Sequence, residues 1–176
     1  MSRPLLRGLG TMLAIGITAA IVTAPAAARA TGKESFRGVL LASGESGTRS
    51  VFSTFLTAEG VFNGAGRIVE VANRPRDPDT VSRDDLVFAA GKMHLISTNK
   101  SVSVSIRPAT CAVRITIRQT AVVRGGTGRF RHAAGRFVGG VHGRGVAPRS
   151  PDGTCSQQGA LLLEIDAVSG RGTLSF

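Results

Sequence analysis

Apolar and polar residues alternate at every second position over much of this chain, and this period constrains the fold more than any other feature. Residues 113–123 place valine, isoleucine and alanine between arginine, threonine and glutamine. Residues 102–106 alternate valine and isoleucine with serine, and residues 161–167 alternate leucine, isoleucine and alanine with Glu164 and Asp166. Successive side chains of a strand point to opposite faces. Each segment therefore predicts a β-strand whose apolar side chains are buried on one face while its polar side chains face solvent.

Further strands and close turns fill the rest of the chain after residue 30. Additional strand candidates are 36–42, 48–58, 61–71, 86–90, 93–98, 135–143 and 172–176. Glycine-, proline- or aspartate-rich turn signals lie at 44–47, 59–60, 73–79, 91–92, 148–153 and 169–170. No convincing helical stripe interrupts them. The pattern predicts one all-β domain over residues 31–176, a small antiparallel β-barrel of about eight strands, with a β-sandwich as the alternative.

Residues 1–30 have the three parts of a secretory signal peptide. Arg3 and Arg7 give a positive start, residues 9–22 form an apolar core, and Ala28-Arg29-Ala30 supplies small residues at a cleavage site. The apolar run is shorter than the ~20 residues that a membrane-spanning helix needs. We therefore expect cleavage after Ala30, no membrane span after processing, and an extracellular location for the mature protein.

Charge and cysteine content fit export. The whole chain carries a net charge of +11, and removal of the predicted signal peptide leaves 19 basic and 11 acidic residues, a net charge of +8. This excess makes an acidic cell-surface polymer one candidate partner. Nucleic acid is a poorer candidate, because phenylalanine is the only aromatic residue and stacking platforms are scarce. In an oxidising compartment, Cys111 and Cys155 predict one disulfide.

The most distinctive segment is 123–135, VRGGTGRFRHAAG. Glycine allows positive φ, so Gly125, Gly126, Thr127 and Gly128 predict a tight turn after a strand, with Phe130 turned inward as a plug and Gly135 opening the next strand. A phosphate-binding loop is excluded by spacing. The segment lacks the GK[ST] ending of a P-loop, and Arg131 stands where G-x-G-x-x-G requires its third glycine.

This segment resembles the GGTG-aromatic-x-x-A-x-G turn of the allene oxide cyclase and dirigent barrel superfamily, in particular its small secreted actinobacterial members. Residues 85–97 and 111–124 also look like those members. The resemblance implies an eight-stranded antiparallel barrel over about residues 36–176, with an apolar interior. Allene oxide cyclases close a fatty-acid epoxide into a ring, and dirigent proteins orient phenoxy radicals. The chain contains no tyrosine or tryptophan, and no family catalytic residue is matched to a position here.

Candidate chemistry is sparse. The histidines are His94, His132 and His142. His132 and His142 lie ten residues apart and could approach one another, but no carboxylate is patterned beside them, so no metal site or cofactor is expected. Carboxylates that could lie in or near a cavity are Glu59, Glu70, Asp84, Asp85 and Glu164. No G-x-S-x-G nucleophile elbow is present. Catalytic and ligand-binding residues therefore stay unassigned at this level.

Three functions remain open. The first is a secreted, non-catalytic barrel that binds a small apolar ligand or serves as a scaffold. The second is an isomerase or cyclase resembling allene oxide cyclase, which requires a polar residue inside an otherwise apolar cavity. The third is a basic protein that binds cell-surface polymers. A barrel filled by its own side chains would leave no ligand site, which would exclude ligand binding and cyclisation but leave the scaffold role.

Overall fold

A computed structural model describes residues 29–44, 47–156 and 159–176 as one closed antiparallel β-barrel. Residues 1–28 of the predicted signal peptide lie outside the described residues. The strands are β1 (Thr31–Ser43), β2 (Ser50–Gly60), β3 (Gly64–Val71), β4 (Val81–Phe88), β5 (Gly91–Arg107), β6 (Ala112–Gly126), β7 (Ala134–Val146) and β8 (Leu163–Ser175). The predicted all-β class and eight-stranded barrel are confirmed.

Each strand pairs with the next along the chain, and β8 closes the barrel by pairing with β1. Val39 of β1, for example, lies opposite Phe55 of β2 on one side and Ala167 of β8 on the other. The β2–β3 pairing is the shortest, with three aligned residue pairs. There the Thr54 hydroxyl replaces part of the ladder, since it donates to the Ile68 carbonyl at 2.8 Å and accepts from the Ile68 amide at 3.1 Å.

Four phenylalanines close one end of the barrel. The ring centroid of Phe62 lies 4.9 Å from those of both Phe88 and Phe130, and Phe130 lies 5.3 Å from Phe176. The carboxylate of Glu34 accepts a hydrogen bond at 2.9 Å from the Phe62 amide and so anchors the β2–β3 connection against this plug. Aromatic rings bury large apolar areas, so this cluster contributes strongly to the core.

The glycine-rich segment carries the plug into place. Gly125 and Gly128 have φ of 73° and 57°, a conformation that glycine adopts without strain. The chain then forms a single 3-10 turn, Gly128–Phe130, before β7. Phe130 at its end is fully buried, while β6 itself extends through Gly126. The segment therefore seals the barrel, which is a structural task.

At the opposite end of the barrel, the hairpin of β5 and β6 extends beyond its neighbour β4, while β6 stays paired with β7 as far as Ala112. β4 pairs with β5 only as far as Thr98, and a bulge follows between Asn99 and Ser101. The predicted segments 93–98 and 101–106 are thus one long strand. The tip of the hairpin is held by a disulfide between Cys111 and Cys155, which confirms the predicted pairing.

Three expectations from the alternating pattern are wrong. Val102 and Val104 are each 57% exposed, because the hairpin has passed the end of its β4 neighbour. On β8 the two faces are reversed: Ile165 is 46% exposed, whereas Glu164 and Asp166 are only 8% and 7% exposed. The turn predicted at Ser169-Gly170 lies within β8, where Gly170 pairs with Phe36 and Gly139 rather than ending the strand.

Candidate functional site

The barrel encloses a cavity of about 180 Å³ between the phenylalanine plug and the opposite, open end. Its deeper wall is mainly apolar, from inward-facing side chains of β1 to β8 that include Phe36, Leu56, Ile68, Leu86, Leu95, Phe137 and Val168. Gly38, Gly139 and Gly170 line the same cavity without contributing side-chain volume. Eight-stranded barrels are just wide enough to be filled or to hold one small ligand, and inward-facing glycines leave room for the second outcome.

Charged side chains gather at the open end, here called the acidic mouth and defined by Arg49, Glu70, Asp84, Glu164 and Asp166. Each of the three guanidinium nitrogens of Arg49 meets a different carboxylate. Nη1 lies 2.6 Å from Glu70, Nε lies 2.8 Å from Glu164, and Nη2 lies 3.4 Å from Asp166. One cation therefore ties together β3, β8 and the β1–β2 connection in front of the cavity.

Asp166 is incompletely hydrogen-bonded in the acidic mouth. Its Oδ1 atom is buried and has no hydrogen-bond partner among the described residues. The carboxyl fits over Gly143 of β7, where an added Cβ would stand 2.5 Å from Oδ1. Buried carboxylate oxygens without a partner are costly, so Asp166 is held here at an energetic cost, with Oδ1 packed against β7.

Burial controls the protonation of two carboxyls in the acidic mouth. It raises the pKa of Asp84 to about 6, with a further contribution from the nearby negative charge of Glu70. Burial also raises the pKa of Asp166 to about 7, and the neighbouring Glu164 adds to the effect while Arg49 opposes it. Groups that titrate near neutral pH can hold or release a proton under physiological conditions, as acids and bases at functional sites do.

The structure brings together some of the sequence-predicted carboxylates and separates others. Glu70, Asp84 and Glu164 meet at the acidic mouth. Asp85 lies on the other face of β4, where it pairs with Lys92 at 2.7 Å and with His94 at 2.6 Å. Glu59 lies exposed near the plug end of β2.

Sequence reasoning missed the roles of Arg49 and Asp166. Asp166 stands two residues after Glu164 and so shares its face of the strand, a signal that the chain does contain. No comparable signal marks Arg49, which reaches the site from a connection between strands.

The histidines take no part in the site. His132 and His142 are exposed, and within the ranges 29–44, 47–156 and 159–176 no three His, Cys, Asp or Glu side chains are grouped to hold a metal ion.

Over the same ranges, no helix has the length and apolar character needed to cross a membrane.

Comparison with known proteins gives no family model, curated protein or solved structure that matches this chain. The resemblance to the allene oxide cyclase and dirigent superfamily therefore stays a prediction.

The raised pKa values predict an unusual dependence of stability on pH. A carboxyl whose pKa is raised by folding binds its proton more tightly in the folded state, so stability increases as pH falls through the folded pKa. Between about pH 7.5 and pH 5 we expect the free energy of unfolding to rise by about 1–3 kcal/mol, allowing for solvent screening. Urea unfolding at the two pH values measures it.

The variant Asp84→Asn serves as the control for this pH effect. An amide cannot ionise, so the variant should be less sensitive to pH over the same window. Asp85 behaves in the opposite way. Burial raises its pKa, but hydrogen bonds from Lys92 and His94 outweigh burial and lower the pKa below its ordinary value. The stability that Asp85 contributes is therefore lost only at lower pH. A wild-type protein that loses stability on going from pH 7.5 to pH 5 would contradict the prediction.

Proposed function

We propose that this protein is exported and binds a small amphipathic molecule, with the apolar part of the ligand inside the barrel and its polar group at the acidic mouth. The observation that carries the proposal is the open cavity of about 180 Å³, with an apolar interior and convergent polar side chains at its entrance. This is the usual composition of a small-molecule site. An engineered cavity of about 150 Å³ is enough to bind benzene, so the space suits a ring or a short chain.

The interior surface supports binding in preference to a purely structural barrel. Phe36 and Phe137 lie 5.0 Å apart and define one wall, while Gly170 leaves the space beside them open. A Cβ added at Gly170 would meet only the Cβ of Phe137, at 3.9 Å. A side chain could therefore occupy this position without a clash, yet the chain carries glycine there.

Filling that space tests the proposal. The variant Gly170→Val should fold at least as stably as the wild type, because valine suits a strand and its Cβ would have no neighbour closer than 3.9 Å, and its stability should rise by about 0.5–1 kcal/mol. Its affinity for 2-phenylethanol, used as a neutral probe, should fall at least about tenfold because the added methyl groups occupy the cavity. Titration followed by NMR measures the affinity, and urea unfolding measures the stability.

Thr116→Val is the matched control, since Thr116 is an exposed residue of β6 and valine there changes only the outer surface. It should bind the probe as the wild type does. Equal affinities of Gly170→Val and Thr116→Val for the probe would show that the cavity is not the binding site.

An isomerase or cyclase using the same cavity is the catalytic form of this proposal. It is favoured by one observation, that carboxyls whose pKa is raised by burial line a mainly apolar cavity. A protonated carboxyl could then donate a hydrogen bond to the epoxide oxygen as its C–O bond breaks, stabilising the developing charge while the ring C–C bond forms, with no net proton transfer. A test with an allene oxide generated in the assay should give a changed product ratio with the wild type. A ratio equal to that of the spontaneous reaction, despite binding of the probe, would leave the non-catalytic form.

A second candidate function rests on the outer surface of β6 and β7. These strands contain no acidic residue, and all of their arginines are exposed: Arg114, Arg118, Arg124, Arg136 and Arg144. Arg114 and Arg144 are direct cross-strand neighbours, a repulsive arrangement that an anionic polymer would relieve. Binding to a polyanionic resin should be strong at low salt and lost at about 1 M salt, because such attraction is screened. Retention on the resin that does not change with salt concentration would count against this function.

A further inference from the structure

We propose that the cavity selects molecules with a cationic head, an organic ammonium group attached to a small apolar body. This inference rests on the proposed ligand-binding function and specifies the ligand class of the same site. It follows from the imbalance of charge at the acidic mouth, from the partnerless oxygen of Asp166, and from the contacts of all three Arg49 nitrogens with carboxylates of the chain.

The charge balance at the mouth favours a cation. The four carboxyl groups of Glu70, Asp84, Glu164 and Asp166 face a single guanidinium. The chain is basic overall, but its arginines on β6 and β7 are exposed on the outer surface. Charges separated by more than about 10 Å in solvent are largely screened at ordinary salt, so the local excess of carboxylates governs the ligand.

Arg49 is poorly placed to receive an anionic ligand. All three of its guanidinium nitrogens already contact carboxylates of the chain. A ligand carboxylate would find only the second N–H groups of Nη1 and Nη2, and there it would face the carboxyl groups that already surround Arg49. A neutral alcohol would make hydrogen bonds but would leave the charge imbalance as it is.

Asp166 is the specific contact for the cation. It is 7% exposed, it lines the cavity, and its Oδ1 atom has no hydrogen-bond partner among the described residues. Its bond to Arg49 is the longest of the three, at 3.4 Å. An ammonium group is a donor without acceptor capacity, so it matches an unsatisfied carboxylate oxygen. Hydrogen bonds between charged partners are also stronger than neutral ones.

The proposal predicts that binding depends on pH. The groups facing Asp166 are Glu164 on its own strand, Arg49 on the β1–β2 connection, Glu70 on β3 and Asp84 on β4. As pH falls, burial causes Asp84 and Asp166 to take up protons below pKa values of about 6 and 7. An alkylammonium ion stays protonated over this range, as lysine does. Its affinity should therefore decrease on acidification, while that of a neutral probe should not.

Three probes that share one phenyl ring and a two-atom chain separate the possibilities: 2-phenylethylammonium, 2-phenylethanol and phenylacetate. At pH 8 we expect the ammonium probe to bind the purified protein at least about tenfold more tightly than the alcohol, as expected of one charged hydrogen bond. Phenylacetate should bind most weakly. Between pH 8 and pH 5 the preference for the ammonium probe over the alcohol should fall at least about fivefold.

Substitutions locate the selectivity. Asp166→Asn should remove most of the preference for ammonium and leave the affinity for the alcohol within about twofold of the wild-type value. Should that buried position not tolerate asparagine, Glu70→Gln at the partly exposed rim removes one charge and should reduce the preference to a smaller extent. Glu59→Gln is the matched control, because it removes the same charge near the plug end and should change neither affinity.

The outcomes are distinguishable. Equal binding of the alcohol and ammonium probes overturns the cationic-head inference and leaves the ligand-binding function intact. Preferential binding of phenylacetate also overturns it. Failure of all three probes to bind at any pH in this range overturns both the inference and the proposed function on which it rests.

Discussion

Replacing Phe130 with alanine should destabilise the protein by about 3–5 kcal/mol, the usual cost of removing a large aromatic side chain from a packed core. Phe130 is fully buried and touches the rings of Phe62, Phe88 and Phe176. The space it leaves cannot close readily, because those rings come from separate parts of the barrel end. Urea unfolding of wild type and variant gives the difference in free energy.

Phe52→Ala is the matched control for the plug. Phe52 is 60% exposed on β2, so its truncation should cost within about 0.5 kcal/mol. Phe130→Leu keeps most of the volume and supplies a folded variant should alanine prevent folding, with an expected loss of about 1–2 kcal/mol. A loss for Phe130→Ala no greater than that for Phe52→Ala would show that the four rings do not seal the barrel.

The double variant Cys111→Ala/Cys155→Ala should lose about 3–4 kcal/mol. The disulfide closes a loop whose ends are 44 residues apart in sequence, and a loop of this length restricts the unfolded chain substantially. It also joins the projecting β5–β6 hairpin to the connection between β7 and β8. The wild type in strong reductant provides the same comparison without substitution, and both samples are measured by urea unfolding.

The site of this loss is also predicted. The disulfide lies in a small apolar cluster with Val113 and Ala147, apart from the main core. Hydrogen exchange in the reduced protein should accelerate at the hairpin tip and change least around Phe130. A stability change below about 1 kcal/mol, or faster exchange around the plug rather than the tip, would contradict this account of the disulfide.

The strands and the barrel were predictable because period-two alternation is a local property of the sequence. Residues 113–123 show this well, since their alternating set lies within β6 as expected. The Cys111–Cys155 bond followed from the presence of two cysteines in a chain expected to be exported. The positions of strand ends were less predictable. β5 continues through a bulge between Asn99 and Ser101, and no residue type in that segment predicts the bulge.

The site was only partly predictable, because alternation separates two faces without saying which one is inside. On β8 the apolar Ile165 points outward, while Glu164 and Asp166 point toward the barrel axis. That reversal depends on Arg49, which lies more than a hundred residues earlier and neutralises part of the acidic mouth. Gly143 also contributes, since a Cβ there would stand 2.5 Å from Asp166 Oδ1 and the carboxyl would have to move. Such long-range compensation appears only when the strands are assembled.

The most direct test of the account is a methyl NMR titration of the protein with 2-phenylethanol. We expect the probe to change the chemical shifts of methyl groups that line the cavity, those of Ile68, Leu86 and Leu95. Outward-facing methyl groups such as those of Val138 and Ile165, which are 69% and 46% exposed, should stay unchanged. Spectra in which the interior methyl groups do not respond at saturating probe, or in which only the outward groups respond, would contradict a ligand-binding barrel.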